Sequence, residues 1–256
     1  MGNLIRMDFY RMRKARSFLI CFILELVLAL SSAPLEKGMY LLAQMLSTDM
    51  QEIFPAEVKL SVILSDPFPA LGLMLAMISL CYFFHADVEN GYIKNIAGQM
   101  PMKGFTILSK FIVAFVHNVI FVAAAIIGKV VGTVFVQRIV VDGDVPDSIR
   151  VLVLKLLLIQ SICALLLLAA ATLRSKSLGM ILAVIFGLGL TSLIYMGINQ
   201  GLKSLFNHAV DITKYMPDSL MDETPLGTMK ALAVAAAWGA VFLIPAIRIF
   251  DRKDVK

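Results

Sequence analysis

The chain has 256 residues, of which 59% are hydrophobic and 16% charged, and a formal net charge of +5. A soluble domain carries about 45–50% apolar and roughly 25% charged residues, so a water-soluble core is excluded and hydrocarbon is the solvent this composition fits. The basic residues are spread along the chain instead of gathering on one face, which argues against a nucleic-acid partner.

Ahead of the first apolar run, Ile5, Phe9 and Met12 recur at helical spacing while Arg6, Tyr10 and Arg13 fall on a neighbouring face. That is the pattern of a helix lying in the membrane interface. A membrane helix needs about 20 mainly apolar residues, and six stretches come close: 17–33, 67–84, 105–136, 151–173, 178–198 and 229–247. The first resembles an export signal, with a basic stretch before it and Ser31-Ser32-Ala33 at its end, but Glu25 inside it and Pro34 after it favour a retained span. The third run is longer than a bilayer requires, so it tilts or emerges beyond the outer surface. Only Arg174-Ser175-Lys176-Ser177 separates the fourth from the fifth, which makes them a tight helical hairpin.

Two longer connections carry amphipathic stretches: 34–66 through Leu42, Met45, Leu46, Met50, Ile53 and Phe54, and 199–228 through Leu202, Leu205, Phe206, Ala209 and Val210. They either pack on the outer rim or re-enter the bilayer, where irregular backbone is tolerated only if its polar groups are satisfied. The fold class that follows is an all-α membrane protein of six transmembrane helices, forming a single transmembrane domain over 1–256.

Direction follows from charge, because short cytoplasmic segments are enriched in Lys and Arg. With the amino terminus inside, fourteen of the 23 Lys and Arg fall on cytoplasmic segments and seven on outer ones, while five acidic residues lie inside and twelve outside. Both signals place both termini in the cytoplasm of a multi-pass plasma-membrane protein.

Few residues carry chemistry. No Gly-x-x-x-x-Gly-Lys-Ser/Thr loop occurs, so the chain lacks the usual means of cradling a nucleotide. Cys21, Cys81 and Cys163 all sit in apolar runs, as packing residues. His85, His117 and His208 are scattered, no His-Glu-x-x-His helix exists, and His85-Ala86-Asp87-Val88-Glu89 reads as a solvated helix edge more readily than as a metal site. No catalytic or metal-binding residue is expected. Lys129 and Lys155 lie near the outer ends of their spans, where the long stem snorkels or pairs. Glu25 is deeper: an ionisable group within a span tends to face the bundle interior, so Glu25 is either a buried, hydrogen-bonded carboxyl or a cavity contact for a cationic substrate, and it is the best candidate for the latter. Gly128-x-x-x-Gly132 and Gly197-x-x-x-Gly201 permit close helix approach.

The link after the second run reads Phe84-His85-Ala86-Asp87-Val88-Glu89-Asn90-Gly91-Tyr92-Ile93-Lys94-Asn95-Ile96, followed by Pro101, Lys103 and Lys110. Here the chain resembles the ABC-2 family of permeases, in particular the short six-span members linked to peptide export, bacitracin-type resistance or lantibiotic immunity. Lys103 stands where Arg is more usual, and Gly91-Tyr92 where Gly-Thr is commoner. The whole layout is similar: a basic interfacial helix, six spans, a long outer segment before the last span, and a charged end.

The resemblance implies a cytoplasmic coupling helix between spans two and three, with Glu89, Gly91, Ile93 and Lys94 docking on an ATP-binding cassette subunit and Arg13 and Arg16 at an adjoining elbow helix. It implies an exporter of an amphipathic peptide or lipid-like antibiotic, paired with itself or with a similar permease. ATP and Mg would be bound by the partner subunit, with no cofactor on this chain. The rival readings are a non-transporting sensor or assembly scaffold that binds a cytoplasmic partner and, from a third class, an intramembrane enzyme, for which the spans offer no coherent polar constellation.

Overall fold

The computed structural model describes residues 1–46, 54–69, 71–89, 103–172, 176–206, 211–223 and 227–252, apart from the side chains of 46, 87–89, 205 and 206. Ten α-helices and two short strands lie among them. They are α1 (Gly2–Lys14), α2 (Arg16–Leu46), β1 (Glu57–Lys59), α3 (Leu60–Ser65), α4 (Gly72–Glu89), α5 (Phe105–Val134), β2 (Arg138–Val140), α6 (Val145–Thr172), α7 (Lys176–Gly187), α8 (Thr191–Phe206), α9 (Pro217–Met221) and α10 (Thr228–Arg252). A 3₁₀ turn at Ile212–Tyr215 precedes α9.

Four of these helices are long and apolar enough to cross a membrane, and α7 and α8 add a fifth crossing if the pair, bent by 83°, counts as one broken span. The chain therefore has the build of a multi-pass membrane protein. The second expected span is a shorter apolar helix, with Gly72–Ala86 as its apolar part.

Hydrocarbon offers helices no hydrophobic incentive to associate, so packing depends on how closely their backbones can approach. Glycines on α5 provide one seam. A Cβ on Gly128 would stand 2.6 Å from that of Ala29, and one on Gly132 would overlap the Leu30 carbonyl of α2. Pro34 lies four residues after Leu30 within the same helix and has no N–H to donate to that carbonyl. A second seam joins α7 to α4: Gly179 lies against Cys81 and His85, Ala183 is fully buried, and Gly187 lies against the Met74 backbone. Gly197 and Gly201 face open space, so the second Gly-x-x-x-Gly pair makes no such seam.

The core between these seams draws Phe18, Met77, Leu80, Phe121, Leu158 and Leu166 from four helices. Helix α10 packs on α6, with a smaller cluster of Ile107, Ala171, Ala246 and Phe250 joining it to the start of α5.

Several expectations change here. The first span does not stop at 33: α2 runs through Pro34 to Leu46, at about 1.5 Å per residue some 46 Å long, and takes in the Leu42 and Met45 stretch expected to be separate. Ser31 and Ser32 turn their hydroxyls back onto the Leu28 and Ala29 carbonyls, 3.1 and 2.8 Å away, so the small residues that imitated a cleavage site are ordinary helix interior. The fifth expected span, 178–198, is broken at Leu188–Leu190, where Gly189 takes a φ of +66°, a left-handed conformation that glycine adopts without a Cβ penalty. Its second half joins the amphipathic stretch that follows to form α8.

Beyond the far ends of α2 and α5, β1 and β2 pair in parallel, Glu57 opposite Arg138 and Lys59 opposite Val140. Ser61 donates its hydroxyl to Asp142 at 2.6 Å and its amide to the same carboxylate at 3.4 Å, which holds that carboxyl below the usual aspartate range.

The glycine seam generates a stability prediction. Gly132→Val forces α2 and α5 apart and is expected to cost about 1–3 kcal/mol, the range for overpacking a tight contact, whereas Gly197→Val is neutral. Thermal unfolding in detergent checks both, and equal melting temperatures for the two variants would refute the seam.

Candidate functional site

Two places concentrate polar groups, one at each end of the bundle. The first gathers α1, the end of α4, the start of α5 and the end of α10. Helix α1 ends where Ala15 turns extended, at φ −68° and ψ 128°, and α2 starts at the next residue. Its buried face is Leu4, Asp8 and Met12, while Phe9 is exposed. Of the expected Ile5, Phe9 and Met12 stripe, Met12 is buried and Ile5 packs against the core, while Phe9 is exposed and Asp8 joins the buried face instead, for an electrostatic reason. Asp8 is fully buried because its carboxylate accepts a 2.6 Å hydrogen bond from the Ser109 hydroxyl on α5, with the Arg11 guanidinium 3.8 Å away.

The next residue of α5 makes the second lock. Lys110 is buried, and its Nζ donates to the carbonyls of Phe83 at 3.1 Å and Phe84 at 3.3 Å while standing 4.6 Å over the Phe83 ring. A third tie runs from the Gly104 amide to Asp251 Oδ1, 2.5 Å away near the end of α10. The middle of α1 and the ends of α4 and α10 are thus fastened to the start of α5. Arg13 and Arg16, expected at an elbow, stand on either side of Ala15, both exposed. Of the expected coupling residues, Glu89 is the last of α4 with its side chain outside the described residues, and Gly91, Ile93 and Lys94 lie outside them entirely.

The second place is a cavity of about 550 Å³ at the opposite end, where α7 breaks from α8. Its apolar wall includes Phe68, Leu73, Phe186 and Met221, and its polar groups include Asp66, Asp218, Asp222 and Lys129. Asp218 is buried on α9 and accepts from the Tyr195 hydroxyl at 2.9 Å and from the Thr191 hydroxyl, so one carboxylate holds both the start of α8 and the wall of the cavity. Lys129 donates to the Asp66 carbonyl at 2.6 Å and reaches the Asp66 carboxylate at 4.0 Å, a local pairing in place of free snorkelling. Lys155 lines a smaller, adjoining hollow of about 100 Å³ that shares Asp66 and Asp222. At the rim, burial pushes the Asp222 carboxyl up, with Lys155 opposing the shift.

Glu25 lies on the same helix as Ser32, which lines the cavity, but two turns deeper, and it does not itself line the hollow. It is fully buried, and neither oxygen has a hydrogen-bond partner among the described residues. Its carboxylate abuts the turn that forms the cavity wall: a Cβ on Gly72 would sit 2.5 and 2.7 Å from the two oxygens and 2.7 Å from Pro69. Sequence reasoning missed Asp66, Asp218 and Asp222 because they stood in connections, and only folding shows that Thr191 and Tyr195 turn toward them. No family model matches the chain, and no curated protein matches it.

The locks at the first end are testable. Ser109→Ala leaves Asp8 buried without that donor and is expected to cost about 1–3 kcal/mol, with faster amide hydrogen exchange concentrated in 2–14. Exchange that rises evenly along the chain, or not at all, would show that Asp8 does not pin α1.

Proposed function

We propose that this chain is the permease subunit of an ABC exporter, driven by ATP hydrolysis on a separate subunit. In this reading α4 and the bent α7–α8 pair complete a set of six spans, and both termini face the cytoplasm of the plasma membrane. The observation that supports it best is the fastening of α1, α4 and α5 to one another at Asp8, Ser109 and Lys110, on both sides of the link 90–102. A partner that moves this link then moves three helices together. Such an arrangement is what transmission requires, because a ligand or nucleotide shifts a two-state equilibrium only through contacts that differ between the states.

In this reading the motor is another chain, which accords with a sequence that has no Gly-x-x-x-x-Gly-Lys-Ser/Thr loop. Glu89, Gly91, Ile93 and Lys94 form its docking segment, with Arg13 and Arg16 beside it at the elbow. The permease pairs with itself or with a similar subunit, and the cargo is an amphipathic peptide or lipid-like antibiotic moving outward.

Co-purification with an ATP-binding cassette protein, sought first among the products of neighbouring genes, is the test. Glu89→Ala and Gly91→Pro are expected to leave membrane insertion intact and to weaken ATPase association or transport-coupled hydrolysis. Full coupling in both variants would remove the docking segment. Failure of any ATPase to associate with the native chain would favour the scaffold reading.

A further inference from the structure

Charge around the α7–α8 cavity is unbalanced. Asp66, Asp218 and Asp222 line it and Glu25 lies behind its wall, whereas Lys129 and Lys155 are the lysines nearby, each already facing an acid. Asp218 is 6% exposed, and no Lys or Arg among the described residues pairs with it. Glu25 is fully buried with both oxygens unpartnered among those residues. Buried carboxylates are costly in any low-dielectric setting unless ion pairs and hydrogen bonds offset them, and two stand on or beside the wall of one open hollow: Asp218 with hydroxyl donors and no ion pair among the described residues, and Glu25 with no hydrogen bond among them and Lys129 as its opposing charge.

We propose that this cavity binds an amphiphilic organic cation, a primary ammonium or guanidinium carried on an apolar body. Asp218 and Asp222 receive the charged group, Glu25 adds to the attracting field from behind the Pro69 wall, and Phe68, Leu73, Phe186 and Met221 cover the apolar part. The shape argues for an organic cation over a metal ion: among the described residues no three His, Cys, Asp or Glu side chains come close enough to hold one, and the acids are spread around a volume of about 550 Å³. The lining argues against an anion, since Lys129 is already committed to Asp66. Asp218 is pre-positioned by Tyr195 and Thr191, so binding does not have to order that side chain.

This inference concerns the chain alone and stands apart from the ATPase partner, so its failure would leave the coupling proposal untouched. The probe is dansylcadaverine, which joins a primary ammonium to a fluorescent aromatic body, with its N-acetyl derivative as the uncharged control. The full chain is placed in phosphatidylcholine nanodiscs and empty nanodiscs are subtracted. Saturable, blue-shifted emission is expected, with about tenfold or greater preference for the ammonium over the N-acetyl form, the scale of one charge-assisted hydrogen bond.

Asp222→Asn, at the rim and without an interhelical bond to lose, is expected to weaken binding about tenfold. Glu25→Gln weakens it less, because it acts through the wall. Asp218→Asn removes the principal contact, and a melting temperature on each preparation separates lost binding from lost folding. Equal binding of the N-acetyl form, a signal no larger than that of empty discs, or unchanged affinity in folded Asp222→Asn and Asp218→Asn proteins would each overturn the assignment.

Discussion

Close backbone contact between helices is the constraint on which the rest of this molecule depends. In a bilayer, a leucine gains little by leaving lipid for protein, so a helix pair holds together through dense packing and whatever polar bonds it can make. At α2 and α5 the packing is provided by Gly128 and Gly132 against the Ala29–Leu30 backbone, at a point where Pro34 has already removed one helical donor. The carbonyl that a mid-helix proline leaves short of a partner thereby meets a helix surface with no side chain in the way. Gly179, Ala183 and Gly187 repeat the solution between α7 and α4. With two such seams in place, α2 is held against α5 and α4 against α7, and the end of α7 at Gly187 is fixed where the chain must turn.

Polar groups in the interior follow the same economy of space. His117 is hydrogen-bonded to Ser79 at 3.0 Å and stacks on Phe121, while Asn118 donates to Gln160 at 3.2 Å and Gln160 to the Phe111 carbonyl at 2.7 Å. These bonds run between α4, α5 and α6, so each fixes the rotation of one helix against another, which van der Waals packing alone specifies weakly. Glu25 is different in kind. It sits at the α2–α4 contact with neither oxygen bonded among the described residues, and only the absence of a side chain at Gly72 leaves it room.

How much of this was legible in the sequence depended on the range of the interaction involved. Long apolar runs are local, and α2, α5, α6 and α10 stand where hydropathy put them. Helix ends were less so: α2 outran Ala33 because a proline inside a packed helix bends or thins it without ending it, and the run 178–198 broke because a single glycine at 189 could turn left-handed, which hydropathy does not register. The place of Asp8 on the buried face of α1 was not legible, because its partner Ser109 stands one hundred and one positions later. Of two Gly-x-x-x-Gly pairs, the one at 128 and 132 makes a seam and the one at 197 and 201 faces open space, and nothing in the spacing distinguishes them. Glu25 was visible as an oddity in its run, but the acids that line the neighbouring cavity came from connections that periodicity treats as featureless.

The two polar ends are connected by a short, stiff path. Helix α4 begins at Gly72, against Glu25 and the Pro69 side of the cavity wall, and near its other end the carbonyls of Phe83 and Phe84 are gripped by Lys110. Its eighteen residues span about 27 Å at helical rise, and close-packed interiors transmit displacement in place of absorbing it. A tilt of α4 imposed at the Lys110 end therefore displaces Pro69, Gly72 and Leu73 relative to α2, changing the room available to Glu25 and the width of the hollow above it. Gly187 rides on the Met74 backbone, so the same tilt reaches the α7–α8 break and the Thr191 and Tyr195 bonds to Asp218. A partner acting on one end and a cation occupying the other would thus bias the same helix, and by linkage each would alter the free energy with which the other binds.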